Sequence, residues 1–208
     1  MGRGNPGPDL CISTRLLHPF IRTLADHPAL SREDLDEVRA LDPDGRIPLS
    51  RAHELLRRAV ERTGDSDLGL RAGRYANNAD YGVIHYAIRS APTVHEAILA
   101  AQRFMRLLTD GMDYRLELDG DRALVRLDSR VPLPRASADY QASITHLLHL
   151  GTYAAHIPGL EWWFTHERPD DTSVYEATFA PAAVRFSAPA FGYCFDKAYL
   201  DRPLPHAD

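Results

Sequence analysis

In the N-terminal half of the chain apolar side chains recur every three or four positions, and beyond Met112 the period drops to two. From Ser13 onward, Leu16, Leu17, Phe20, Ile21 and Leu24 predict a helix in which Pro19 fits only as an early-turn residue or a kink. A second helix is expected from Ser31, where Ser31 and Asp34 are spaced to cap the first turn. It runs through Leu35, Val38 and Leu41 and stops at Asp42-Pro43-Asp44-Gly45. A third begins near Ser50, carries Leu55, Leu56, Ala59 and Val60 on one side, and ends at Gly64, after which Asp67 to Gly73 predicts one more short helix or turn. The best-signed helix opens at Thr93-Val94-His95-Glu96, a capping box in which hydroxyl and carboxylate satisfy reciprocal backbone N–H groups. It continues through Ile98, Ala101, Met105 and Leu108 to Gly111.

Tyr114, Leu116 and Leu118, then Ala123, Val125 and Leu127, alternate with polar residues around Asp119-Gly120-Asp121, which predicts a β-hairpin. A long helix from about Ser137 to Ile157 follows, and short strands are expected around Trp162–His166, Tyr175–Phe179, Val184–Phe186 and Tyr193–Phe195. Helices segregated from hairpins predict an α+β fold and argue against a doubly wound nucleotide-binding sheet. The expected architecture is a helical N-terminal half packed with a β-hairpin and short antiparallel strands, with one long helix between the strand groups. Residues 1–10 are rich in Gly and Pro, so a disordered arm is expected over 1–12 and one regulatory domain over 13–208. The arm contains G-x-G-x-x-G at Gly2, Gly4 and Gly7, but no strand precedes it and prolines interrupt it, so it is not a dinucleotide fingerprint.

Composition narrows the class. The 208 residues carry 24 Lys plus Arg against 29 Asp plus Glu, a formal charge of −5, and lack the basic excess that nucleic-acid contact requires. Cys11 and Cys194 are too few for a disulfide framework and have no CxxC spacing, which makes a reducing cytoplasmic location the default. The N-terminus has no continuous apolar segment of a secretion signal, and no run of eighteen apolar residues occurs, so neither export nor membrane insertion is expected.

Catalytic templates do not fit. His53-Glu54 and His95-Glu96 each begin an H-E-x-x-H, but the fifth residues are Arg57 and Leu99, which cannot ligate zinc. There is no G-x-S-x-G, no P-loop and no paired carboxylate signature, so no enzymatic activity and no cofactor is expected. On the long helix His146, His149, Tyr153 and His156 fall on one arc about 80° wide at 100° per residue. Ile144, Leu147, Leu148, Gly151 and Ala155 lie opposite, so the His/Tyr stripe is expected to point away from the core. A solvated or subunit-facing polar stripe is the plain reading, and a haem or transition-metal site using His146, His149 and His156 is the alternative. Leu160 to His166 is the densest aromatic cluster, with Trp162 and Phe164 facing one side of a strand and Trp163 the other. Trp162, Trp163 and His166 are either core residues or the wall of a ligand cavity. Tyr81 to Ser90 reads as a core segment with polar tips, and if the domain takes an anion, Tyr86 and Arg89 are the candidates there.

The order of segments resembles a known family. Asp42-Pro43-Asp44-Gly45-Arg46-Ile47-Pro48-Leu49, Thr63-Gly64-Asp65-Ser66-Asp67-Leu68-Gly69-Leu70, Gly82-Val83-Ile84-His85-Tyr86-Ala87, Ser90-Ala91-Pro92-Thr93, Val184-Arg185-Phe186-Ser187 and Leu200-Asp201-Arg202-Pro203-Leu204-Pro205 are collinear. Together they resemble the N-terminal sensor domain of AraC-type transcription regulators, in the branch described as arabinose-binding-like and found in regulators of ornithine and arginine use. The resemblance spans about residues 14–208. It implies a cytoplasmic domain that binds a small-molecule effector and forms a homodimer, and that controls DNA only through C-terminal helix-turn-helix motifs. These would begin beyond Asp208, so the chain is expected to be the sensor part of a longer regulator. The branch covers varied effectors, so its name does not designate arabinose, and the matched positions are packing and turn positions rather than ligand contacts.

Overall fold

In the computed structural model, which describes residues 10–25, 27, 29, 32–153 and 157–205, the chain enters the fold as strand β1 (Cys11–Ser13), antiparallel to β2 (Arg46–Pro48). Cys11 and Ile12, expected in the arm, are thus already in a ladder, with Ile12 opposite Ile47. Residues 1–9 lie outside the described residues. The helical pattern that follows divides into a 3-10 turn (Thr14–Leu17) and α1 (His18–Leu24), with Pro19 in the first turn of α1, where a missing N–H costs no intrahelical bond. Next come α2 (Arg32–Arg39) and α3 (Leu49–Thr63); Ser31, the expected cap of α2, is outside the described residues. Gly64 ends α3 with φ +66°, and its N–H reaches the Val60 carbonyl.

The helical half continues through α4 (Leu68–Gly73), α5 (Asn78–Tyr81), α6 (Val83–Arg89) and α7 (Val94–Phe104). The Thr93 hydroxyl accepts the Glu96 N–H at 3.3 Å, and a 3-10 turn (Met105–Leu107) ends the helix before Gly111. The run from Tyr81 to Ser90 is broken at Gly82 (φ +52°) and continues as a helix with two faces. Ile84 and Ile88 are buried, whereas Val83 and Tyr86 stand in solvent at 66% and 67% exposure.

β3 (Met112–Asp119) and β4 (Arg122–Ser129) form the expected hairpin, with Gly120 in the left-handed conformation at its turn. α8 (Arg135–Tyr153), β5 (Glu161–Trp163), α9 (Ser173–Phe179), β6 (Ala183–Arg185), β7 (Gly192–Asp196) and a 3-10 turn (Lys197–Asp201) complete the chain. The five-stranded sheet has the order β3-β4-β7-β5-β6, antiparallel except for the parallel β5–β6 pair. Two expectations are corrected here. The strand expected over Tyr175–Phe179 is helix α9, and the strands are not all antiparallel. A parallel pair needs a crossover, which α9 provides, and Tyr175 and Phe179, four apart and both fully buried, suit a helix face as well as they suit a strand.

Register divides the sheet into two faces. Tyr114 sits opposite Leu127, Val125 opposite Tyr193 and Tyr193 opposite Trp162, all buried. The other face carries Arg115 3.3 Å from Asp128 and Arg126 3.0 Å from Asp128, a charged ladder open to water. Among the described residues, helices cover the apolar face, as an α+β layering requires.

α8 lies on that apolar face and is covered in turn by α4. Glycine makes the second contact possible, because a Cβ on Gly73 would fall 2.1 Å from the Ser143 hydroxyl and one on Gly69 2.1 Å from the Ala136 carbonyl oxygen. Buried between two layers, α8 does not have the single inward face expected of it. His146 is 1% exposed and Leu147 is at the surface at 36%, so the expected outward His stripe is overturned at its first member. Hydrogen bonds offset much of the cost of burying polar groups there: Ser143 donates to the Leu70 carbonyl at 3.1 Å, and the Trp162 indole donates to His146 Nδ1 at 3.2 Å, although His146 Nε2 has no hydrogen-bond partner among the described residues. Among the described residues no helix is long and apolar enough to cross a membrane.

Candidate functional site

Two cavities adjoin α8 inside the helical half. The first, about 40 Å³, lies between the 3-10 turn at Leu16, α5 to α7, β3, β7 and α8. The second, about 60 Å³, lies towards α1, α3 and the hairpin. Leu16 and Gln141 line both, so these two side chains form the partition. Each cavity is smaller than the roughly 150 Å³ that admits a benzene ring, so a metabolite would enter by displacing the partition or by spreading the helices.

The walls are apolar apart from a few hydrogen-bonding groups. Gln141 Nε2 donates to the Tyr114 hydroxyl at 2.6 Å and to the Thr145 hydroxyl at 3.1 Å, and the Thr145 hydroxyl donates to the Gln141 carbonyl at 2.7 Å. The Tyr140 hydroxyl donates to the Leu16 carbonyl at 2.9 Å. Tyr81, buried at 5% exposure, points its hydroxyl towards that of Tyr140 at a geometry looser than an ordinary hydrogen bond and meets no other partner among the described residues. Burial pushes the Tyr114 phenol up to about 12 and the Tyr81 phenol higher, and burial pushes the His53 imidazole below its ordinary value, so all three are neutral at pH 7. Asp80, the carboxylate next in sequence to Tyr81, is already occupied by Arg22 and by the Asn77 N–H at 2.8 Å, with His18 Nδ1 at 3.6 Å.

A second polar cluster locks α8 to the end of the sheet. Asp139, fully buried, accepts the Tyr175 hydroxyl at 2.7 Å, lies 3.2 Å from His166 Nε2 and pairs with Arg135 at 3.4 Å; Arg135 reaches Asp67 at 2.7 Å. Burial holds the Asp67 carboxyl above its usual range. A cleft of about 400 Å³ opens beside Tyr175, lined by Arg168, Thr172, Glu176 and Phe186, with more polar walls than the α8 cavities.

The residues singled out from sequence are not brought together. Tyr86 faces solvent, and Arg89 is half-buried on the same helix. Trp162 is core, packed 5.4 Å from Phe179 and 4.8 Å from Tyr193 between ring centroids. Trp163 lies on the charged face of the sheet, donating its indole N–H to Glu161 at 2.7 Å, and His166 belongs to the Asp139 cluster. None of the five lines either cavity on α8. His146 is walled in by Trp162 and Phe179, while His156 and the side chain of His149 lie outside the described residues. Among the described residues no group of three or more His, Cys, Asp or Glu is placed to hold a metal ion. Sequence reading passed over Gln141, Thr145 and Tyr114. The available signal was a polar pair four apart on a helix between buried Ala142 and Ile144, and a hydroxyl-bearing residue at an inward strand position.

Comparison with known proteins agrees with this architecture. The curated ornithine utilization regulator of Pseudomonas aeruginosa is 28% identical over 173 residues, which is 80% of this chain and 50% of the relative, so the chain spans about half the length of the relative it matches. The crystal structure of the transcriptional regulator CdpR from Pseudomonas aeruginosa superposes with a TM-score of 0.64 over 93% of this chain and 58% of that one, at 20% identity, and shares the fold. The family model for the arabinose-binding domain of AraC transcription regulators, N-terminal, matches residues 24–204, and the chain belongs to that family.

Proposed function

We propose that this chain is the effector-sensing domain of an AraC-type transcriptional regulator, that it takes a small intracellular metabolite in the double cavity against α8, and that it forms a homodimer in the cytoplasm. DNA contact would fall to a C-terminal helix-turn-helix region outside this chain, in keeping with the charge of −5 here. The observation that carries the reading is the position of the cavities. They lie where the helical layer meets the sheet, and their shared wall, Gln141, belongs to the helix that both layers grip. A ligand that parts Leu16 from Gln141 favours one placement of α8 over another, and the regulator responds to the extent of that differential affinity.

A thermal-shift screen with sugars, amino acids, fatty acids and uncharged amides and alcohols tests this reading. An effector at a hundred times its dissociation constant should add about 2.7 kcal/mol to stability. A flat response across all classes, repeated with the full-length regulator, would count against the sensing role.

A further inference from the structure

We infer that the double cavity selects an uncharged, mainly apolar molecule with one hydrogen-bonding head, such as a primary amide or an alcohol, and rejects amino acids, carboxylates and sugars. This rests on the double cavity being the effector site. Among the described residues that line it there is no Asp, Glu, Lys or Arg, and its one histidine, His53, is held neutral by burial. An ionised head would therefore lose its water without gaining a counter-charge. Asp80 offers none, since Arg22, His18 and the Asn77 N–H already surround it. A polyol meets a related difficulty, because several polar side chains in the walls are already bonded within the protein: Ser129 donates to the Val131 carbonyl, Tyr140 to the Leu16 carbonyl and Thr145 to the Gln141 carbonyl. A single head is well served. Tyr81 lines the first cavity, and its buried hydroxyl makes no hydrogen bond of ordinary geometry, so a ligand carbonyl or hydroxyl that reaches it would give that donor a full partner. The half-buried Gln141 amide can trade its contacts with Tyr114 and Thr145 for a second bond to the same head. The tail then lies among Ile84, Ile88 and Ala101.

Calorimetry on the whole chain with hexanamide, 1-hexanol, hexanoate, hexylamine, L-ornithine and L-arabinose separates the possibilities, because the first four share a tail and differ in head and charge. Hexanamide and 1-hexanol should bind, with hexanoate and hexylamine weaker by on the order of 100-fold at pH 7. Tyr81→Phe should weaken hexanamide by roughly tenfold while leaving the melting temperature nearly unchanged, since the hydroxyl it removes makes only a loose contact with Tyr140 in the free protein. Ala101→Phe, which fills the first cavity, should abolish binding in a protein whose melt shows it folded. Equal affinity for the charged and neutral six-carbon probes, or unchanged hexanamide binding by Ala101→Phe, would overturn the assignment. Binding of L-ornithine or L-arabinose alone would overturn the ligand class and leave the sensing role intact. Failure of all six would remove the cavity as a site together with the reading it rests on.

Discussion

His146 sits at 1% exposure with Nδ1 accepting the Trp162 indole N–H, and burial pushes its pKa down to about 4 from an ordinary 6.5. Between those two values the unfolded chain binds a proton that the folded chain refuses. The contribution is therefore complete above about pH 6.5 and is lost as pH falls towards 4, in total ~3 kcal/mol at 1.36 kcal/mol per unit. Burial lowers His53 and His85 as well, so they tilt stability in the same sense. Urea melts at pH 7.5 and 4.5 should show a large loss at the acid end, and His146→Asn, whose side-chain oxygen can replace Nδ1 as acceptor, should flatten it. An unchanged slope in that variant would assign the acid sensitivity to other groups. The sequence shows that His146 and Trp162 exist and that Trp162 faces away from Trp163. It does not show that the two meet, because their contact joins a helix to a strand across a loop.

At the scale of elements, the period of apolar positions recovered α3, α7, the hairpin and the long helix, and Gly64 and Thr93 marked their ends for local reasons of backbone geometry and capping. It failed at α9, where spacing by four and alternation by two place the same residues, Tyr175 and Phe179, on one side. It failed also on the orientation of α8, because an amphipathic pattern defines an inward side only when a helix has one neighbour layer, and α8 has two. The α4–α8 contact is where this has a measurable consequence. Gly73→Ala would drive a methyl into Ser143 and should destabilise the domain by about 1–3 kcal/mol. Gly73→Ala paired with Ser143→Gly should recover much of that loss in a denaturant melt, whereas Gly64→Ala, with open space around its Cβ position, should cost only the backbone strain of φ +66°.

For the molecule as a whole, the one-sided sheet leaves a charged ladder in solvent and gathers the main apolar core between sheet and helices, with a smaller cluster around Leu17, Ile47 and Ala52. The proposed homodimer belongs at this scale. Sedimentation velocity across a concentration series should show a dimer, and a monomer throughout would set that part of the proposal aside. His146 gives no support to a dimer face on α8, since it is buried, and Val83 and Tyr86, three apart on α6, are the most exposed of the large apolar groups at the surface, which also include Tyr75, Leu107 and Leu118. What the sequence determined by itself was what short-range physics controls: element types, caps, turns, the inward alternation of the hairpin, and the collinear segments that marked the family. The location of the cavities, the burial of His146, the loosely partnered Tyr81 hydroxyl and the Asp139 cluster were decided only by tertiary structure. Each depends on side chains far apart in sequence sharing one volume, and periodicity along a chain carries no information about which distant faces will meet.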